Sequence, residues 1–595
     1  MRKPVWGTQS FLVLSLLTIV STAAGRAVAS SPDDGSGELP AGAALESHRA
    51  VFEADPFPRA TTCRTCHPDH YREWSVSQHA YAQISPIFNT LQGTIIAATN
   101  GTFGDFCIRC HTPVGMRLGE PVFAPNSQRA PVSVEGVTCI VCHRVNKAYG
   151  KVTGRRRLVA GDVFEPIFGP TGNEEVERVL EERDTYGVVT TPNERGRKIH
   201  AEATLFEPIS RPGFCASCHD VNFVTGFRLE EAFSEYKGSP AAKRGETCQD
   251  CHMGTEPGEA KGYRDEPVAK MGDEETRVRK RTTHMWVGPD FPIVHPGIFP
   301  HNPEAAELAT TDEWLEFDHE AGWGTDAFED RVGDGTEFPA RWSSADDRYD
   351  ARDILDLQLA LRAEAFASGT QLLRTGYRLG EVIVDRADEK GLRFRVEVKN
   401  GADGHNAPTG FIGERMVFLQ VTVTDADGEV VFVSGDLDPN GDVRDLHSLY
   451  VHNGELPLDR QLFNLQSRFL TVNVRGSERE QVIAFNYSVD PLPYARPSVG
   501  PAILTGRAPG ARTHRKTIEP GGHRWAKYEV KASELSGAPP YSANIKLIAG
   551  MVPPNLIDAI KGMGFDYGLS ARGIADAVVA GHRVLWERDV AVEVD

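Results

Sequence analysis

Residues 63–67 read Cys-Arg-Thr-Cys-His, and the pattern C-x-x-C-H returns four more times: CIRCH at 107–111, CIVCH at 139–143, CASCH at 215–219 and CQDCH at 248–252. These five boxes use all 10 cysteines of the 595-residue chain. Two thiols at this spacing can both add to the vinyl groups along one edge of a porphyrin. The next residue then turns its imidazole under the ring to meet the iron, which is the pattern of c-type haem attachment. Redox-active C-x-x-C pairs and zinc sites are the rivals. With 19 His in the chain, five independent pairs each followed by His arise by chance at about 10⁻⁸. Zinc would use the boxes in pairs, and five is odd. The boxes therefore predict five covalently bound haem c. Cys63, Cys66, Cys107, Cys110, Cys139, Cys142, Cys215, Cys218, Cys248 and Cys251 attach them, and His67, His111, His143, His219 and His252 are the proximal ligands. No thiol remains for a disulfide or a nucleophile.

Ahead of the first box lies an export signal. Arg2 and Lys3 begin the chain, residues 11–24 are an apolar run, and Ala27-Val28-Ala29 is a cleavage pattern. The apolar run is short of the roughly 20 residues that span a bilayer, and no later stretch is long enough. Residues 1–29 are read as a signal peptide and 30–55 as a linker, so the protein is expected to be periplasmic or extracellular, with no transmembrane segment in the mature chain. Losing Arg2, Lys3 and Arg26 takes the net charge from −19 to −22. A surface this negative repels phosphate backbones, so nucleic acid is not an expected partner. Redox proteins are.

Downstream, the first cysteines of successive boxes lie 44, 32, 76 and 33 residues apart. At this density residues 56–300 cannot build an ordinary apolar core, and a haem-packed domain of short helices and irregular chain is expected. Residues 301–350 read as an acidic connector; 301–353 hold 16 acids, four Arg and three Trp. From 351 the pattern changes. Ile354, Leu357, Leu361 and Ala365 recur at helical spacing. Leu392, Phe394, Val396 and Val398 alternate with charged residues, and Asp427-Gly428 marks a hairpin between Val417–Thr424 and Glu429–Val433. Further strands are expected near Val482–Val489, Trp525–Lys531 and Ile545–Ala549. The predicted class is α+β, with residues 351–595 a β-sandwich-like domain with some helices.

A sixth ligand makes a haem an electron carrier; an open axial side makes it a place for chemistry. Five candidate distal ligands stand out: His79, His200, His284, His405 and His295. Pro68 suits the first turn of a helix through Trp74. Were it to continue, His67 and His79 would lie about 18 Å apart, so His79 is expected to serve a different haem from His67. His200 and His284 sit beside apolar residues near the fourth and fifth boxes. His405 lies in the loop GHNAPTG, and His295 in IVHPG. His70 and the remaining histidines read as surface or locally satisfied residues, and Met116 as core. Asp436-x-Asp438-x-Asn440-Gly441-Asp442 resembles half an EF-hand loop but lacks the closing Glu, so an Asx-rich turn is favoured. Arg155-Arg156-Arg157 reads as a solvated loop, with contact to haem propionates the alternative. Glu73-Trp74-x-x-Ser77-x-His79, after the first box, is echoed after the fourth by Glu235-Tyr236-x-x-Ser239-x-Ala241. The missing histidine makes coincidence the preferred reading.

The stretches CRTCHPDHYREWSVSQHAYA, FCIRCHTPVG, EGVTCIVCH, FCASCHD and EYKGSPAAKRGETCQDCHM resemble the cytochrome c-554 and c-prime type of multihaem cytochrome, whose relatives include hydroxylamine oxidoreductase. The resemblance covers roughly residues 60–290. It implies axial ligation by His79, in the W-x-x-S-x-H element, and by His200, ahead of an F-C-x-x-C-H box. It also implies periplasmic electron transfer in a respiratory chain. The rival expectation is an oxidoreductase acting on a small nitrogen or sulfur compound at one haem. The residues leave open whether the protein is an enzyme.

Overall fold

The computed structural model describes residues 57–595 apart from 102, 149–152, 155, 223–227, 334, 473–477, 482–510, 536 and 594–595. The signal peptide, the linker and the strand expected near Val482–Val489 fall outside the described residues. What is described is α+β. No described helix is long and apolar enough to cross a membrane.

Residues 57–300 are a succession of short helices and two-stranded ladders. Local chemistry keeps the helices short. Proline opens many of them (Pro68, Pro86, Pro113, Pro131, Pro212, Pro240), and left-handed glycines such as Gly119 and Gly245 close others. The helix expected from Pro68 through Trp74 is present as Pro68–Ser75 and does not run on to His79. It ends at Val76, and the Ser77 hydroxyl accepts from the Ala80 N–H to start a new helix, Gln78–Tyr81. That break re-aims His79.

Residues 301–350 hold a core of their own. Trp314, Phe317 and Trp342 are buried with Ala351 and Leu355. The indole N–H groups of Trp314 and Trp342 donate to the carbonyls of Ala305 and Glu313 at 2.9 and 2.7 Å. Arg348 pairs with Glu329, both nearly fully buried. Most of the acids face water because the aromatics turn in. The long helix Ala345–Gly376 lies on this cluster. Its buried face carries Ala351, Leu355 and Gln358, while Leu357 is exposed. The helix expected from Ile354, Leu357, Leu361 and Ala365 is present and Ile354 packs on the cluster, but Leu357 faces out. Gln358 reaches the Pro296 carbonyl and turns the helix that way.

The described second half contains three antiparallel sheets; a small one pairs Arg468–Val472 with Glu478–Gln481 and Ala511–His514, and two larger ones build the core. One has the order Tyr377–Asp388, Gly391–Asn400, His523–Lys531. The other has the order Val430–Ser434, Met416–Thr424, Tyr541–Gly550, Arg583–Val592. Leu392, Phe394, Val396, Leu419, Ile545 and Leu547 from both sheets share one core, each contributing about 1.5–3 kcal/mol by burial. Trp586 Nε1 donates to the Tyr377 carbonyl at 2.6 Å and links the two edge strands. The expected hairpin at Asp427-Gly428 is present, with Gly428 at φ 83°. The Asp436–Asp442 segment is the Asx-type turn favoured from sequence. Asp438 Oδ1 accepts from the N–H groups of Asn440 and Asp442, and Asp442 Oδ1 accepts from Asn555.

Candidate haem-binding site

A continuous cavity of about 1770 Å³ runs through the first half and reaches the loop 401–417. All ten cysteines and all five box histidines line it. The thiols of Cys63 and Cys139, of Cys110 and Cys218, and of Cys215 and Cys248 are neighbours. The attachment edges of boxes one and three, two and four, and four and five therefore adjoin.

Three of the box histidines face a second imidazole. His219 and His79 have ring centroids 6.3 Å apart and planes 32° from parallel. For His252 and His405 the values are 6.3 Å and 9°, and for His143 and His284 they are 6.5 Å and 22°. Two imidazoles on opposite sides of one metal, each bonded at about 2 Å, place their ring centroids roughly 6 Å apart. These pairs have the spacing that a six-coordinate haem iron requires.

The second ring nitrogen supports the same fit. Nδ1 of His67, His111, His143, His284 and His405 lies 2.8, 2.9, 3.1, 3.1 and 2.8 Å from the carbonyls of Val268, Ala82, Phe168, Thr282 and Asn406. A carbonyl can only accept, so Nδ1 carries the proton and Nε2 keeps its lone pair for a metal. Burial pushes His79, His200 and His284 down to about 3 and His252 to about 4. Neutral imidazole is the ligand form. The residues present fit haem c, which the thioether bonds would hold by one edge while these nitrogens met the iron.

His200 also lines the cavity, and after burial the charge of His67 is the first influence on it. His295 does not line the cavity. Its Nε2 lies 3.0 Å from the Phe317 carbonyl and its Nδ1 accepts from the Gly297 N–H at 3.0 Å. With both nitrogens held by backbone, His295 secures a turn, and the distal role expected for it is corrected. His70 is corrected too. Instead of facing solvent it lines the cavity, 5.9 Å from the His67 ring and 4.6 Å from that of His284. His111 stacks on Phe88 at 3.6 Å and 3°. Among the described residues no second imidazole pairs with it at the spacing above.

Three side chains escaped the sequence reading. Glu73 accepts from the backbone N–H of His284 at 2.8 Å and from Arg281 at 2.7 Å. Glu235 accepts from Asn406, next to His405, through both its backbone N–H and its side-chain amide. Arg156 lies in the cavity instead of a solvated loop. Its guanidinium donates to Ser217 Oγ and to the carbonyls of Phe214 and of Val141, the residue before Cys142. That places it beside the third and fourth attachment boxes. Arg155 lies outside the described residues. Only the echo after the fourth box could have pointed to the two glutamates.

The family model described as cytochrome c554 and c-prime matches residues 62–144. Among solved structures, a penta-heme cytochrome c552 from Thermochromatium tepidum aligns at 16% identity and a TM-score of 0.48, covering 91% of this chain and 100% of that one. No curated protein matches the chain. Residues 62–144, which carry the first three attachment boxes, are thus similar to the cytochrome c554 and c-prime family of multihaem c-type cytochromes.

Proposed function

We propose that the protein is an exported pentahaem cytochrome that passes single electrons between redox proteins of a respiratory chain outside the cytoplasm. The carrying observation is the trio of imidazole pairs at 6.3–6.5 Å along one cavity. On this reading His67, His111, His143, His219 and His252 are proximal ligands. His79 serves the fourth haem, His284 the third, His405 the fifth and His200 the first. Six-coordinate haems exchange electrons with little rearrangement, and burial and the Nδ1 hydrogen bonds set their potentials. Residues 56–300 form the haem domain, 301–350 an acidic segment, and 351–595 a β-sandwich that supplies His405. The experiment is a haem count by mass with a reductive titration of the mature protein. Five haems and five reversible one-electron steps, at least three low-spin, are expected. High-spin iron at several haems overturns the reading.

A second reading attaches to the second box. Its His111 faces an aromatic ring and the apolar helix Pro86–Ala98, so that haem is the candidate for binding a small nitrogen or sulfur compound. Electron transfer through the other four would then feed or drain it.

A further inference from the structure

The echo that reads as coincidence in sequence is matched bond for bond in three dimensions. After the first box, Trp74 Nε1 donates to the Val137 carbonyl at 2.9 Å, two residues before Cys139 of the third box. After the fourth, Tyr236 OH donates to the Glu246 carbonyl at 2.7 Å, two residues before Cys248 of the fifth. Ser77 caps the next helix by accepting from the Ala80 N–H, and Ser239 does so from that of Ala242. A left-handed glycine stands three residues ahead of each target box: Gly136 at φ 66° and Gly245 at φ 80°.

The two glutamates match as well. Glu73 accepts from the N–H of His284, which faces His143 of the third box. Glu235 accepts from the N–H of Asn406, directly after His405, which faces His252 of the fifth box. Each side chain is about a tenth exposed (11% and 9%), and each is paired with one arginine, Arg281 or Arg515. A chance likeness of letters does not reproduce donor type, target position and partner at four places.

We infer that boxes one and three and boxes four and five are two copies of one haem-pair unit, and that Glu73 and Glu235 are equivalent positioning residues. Each unit's glutamate clamps the incoming loop that carries the distal histidine of its second haem. The second box and the helix Pro86–Ala98 are an insertion between Ser77 and Gly136 of the first unit. The copies differ at one place. His79 of the first faces His219 of the second, whereas the second has Ala241 there and returns no ligand. A buried carboxylate suits the clamp because a hydrogen bond from N–H to a charged acceptor contributes roughly twice as much as a neutral one. The held imidazole therefore keeps its place when the iron changes charge.

The inference rests on the distal roles proposed for His284 and His405, and the test separates the two. Haem-loaded, full-length Glu73→Ala, Glu235→Ala, His284→Gly and His405→Gly variants are compared by ferric electron paramagnetic resonance and by potentiometric titration of each haem. Glu235→Ala should shift or weaken the low-spin signal that His405→Gly abolishes, and Glu73→Ala the one that His284→Gly abolishes, with the other signals unmoved. Glu→Gln variants, which keep one acceptor oxygen, should recover most of each signal, and they carry the same comparison where an alanine variant does not fold. If the histidine variants lose their signals while the glutamate variants keep every signal and midpoint, the clamp is overturned alone. If His284→Gly and His405→Gly change no low-spin signal, the ligand assignment falls and the clamp with it.

Discussion

The imidazole of His405 faces that of His252, ring centroids 6.3 Å apart and planes 9° from parallel, although His405 belongs to the β-rich half and His252 to the fifth attachment box. The two halves are therefore not a cytochrome with an appended domain. The Asn400 side chain, which donates to the His405 carbonyl at 2.8 Å, holds the loop that presents the ring. The β half lends the cavity this loop, together with wall residues such as Tyr377, Val417 and Met551.

Replacing His79 by Ala should convert one haem from low to high spin and leave the others unchanged, because only His219 loses its facing ring. His295→Ala is the matched control. Its ring bonds two backbone groups outside the cavity, so the haem spectra should stay constant while stability falls by about 1–3 kcal/mol. Resonance Raman spin-state markers and a denaturant titration of each variant read both outcomes. A low-spin loss in His295→Ala would reverse the assignment.

The legible and illegible parts of the sequence divide along physical lines. Cysteine spacing is covalent chemistry and survives any fold, so the five boxes and their ten thiols could be read directly. Strands such as Gly391–Asn400 were legible because Leu392, Phe394, Val396 and Val398 all point to one side. Distal ligation was only half legible. His79, His200, His284, His405 and His295 have similar local contexts, and only three-dimensional placement separates a ring aimed into the cavity from one tied to Phe317 and Gly297. The helix through Trp74 was legible from Pro68, and it stops short of His79 because Ser77 is a better N-cap than a helix interior residue. Residues 301–350 misled through composition, since fifteen acids conceal how few apolar side chains a small core needs.

That small core makes a prediction. Trp342 is fully buried, packs on Trp314 and Phe317, and donates to the Glu313 carbonyl. Trp342→Ala should cost about 3–5 kcal/mol and expose residues 301–350 to limited proteolysis, with the haem spectra preserved. A change below about 1 kcal/mol would mean that the segment behaves as a connector.

His447 ties stability to pH. Burial opposes its charge, but hydrogen bonds to Asp445 and Glu480, each at 3.1 Å, prevail and push it up to about 10. A folded value above the ordinary 6.5 means that its contribution is complete below about pH 6.5 and is lost as pH rises through about 10. The thermal midpoint of the native protein should exceed that of His447→Gln at about pH 6 and converge with it by about pH 11. A difference that grows on the alkaline side would contradict the sign.

The second box is where the electron-carrier and enzyme readings part. His111 has its Nδ1 on the Ala82 carbonyl and its face on Phe88, so it is oriented as firmly as the other proximal histidines. The cavity wall also includes Ile87, Leu91 and Ile95 of the same helix Pro86–Ala98, none of which can ligate iron. A haem attached through Cys107 and Cys110 should then be five-coordinate and should bind one small ligand. The reduced protein is expected to take up one carbon monoxide per chain. The double substitution Cys107→Ala, Cys110→Ala should abolish that uptake and leave the low-spin signals of the remaining haems in place. Uptake of several equivalents, or of none, would remove the second box from consideration as a site of chemistry. In the latter case a wholly low-spin protein would be an electron carrier throughout.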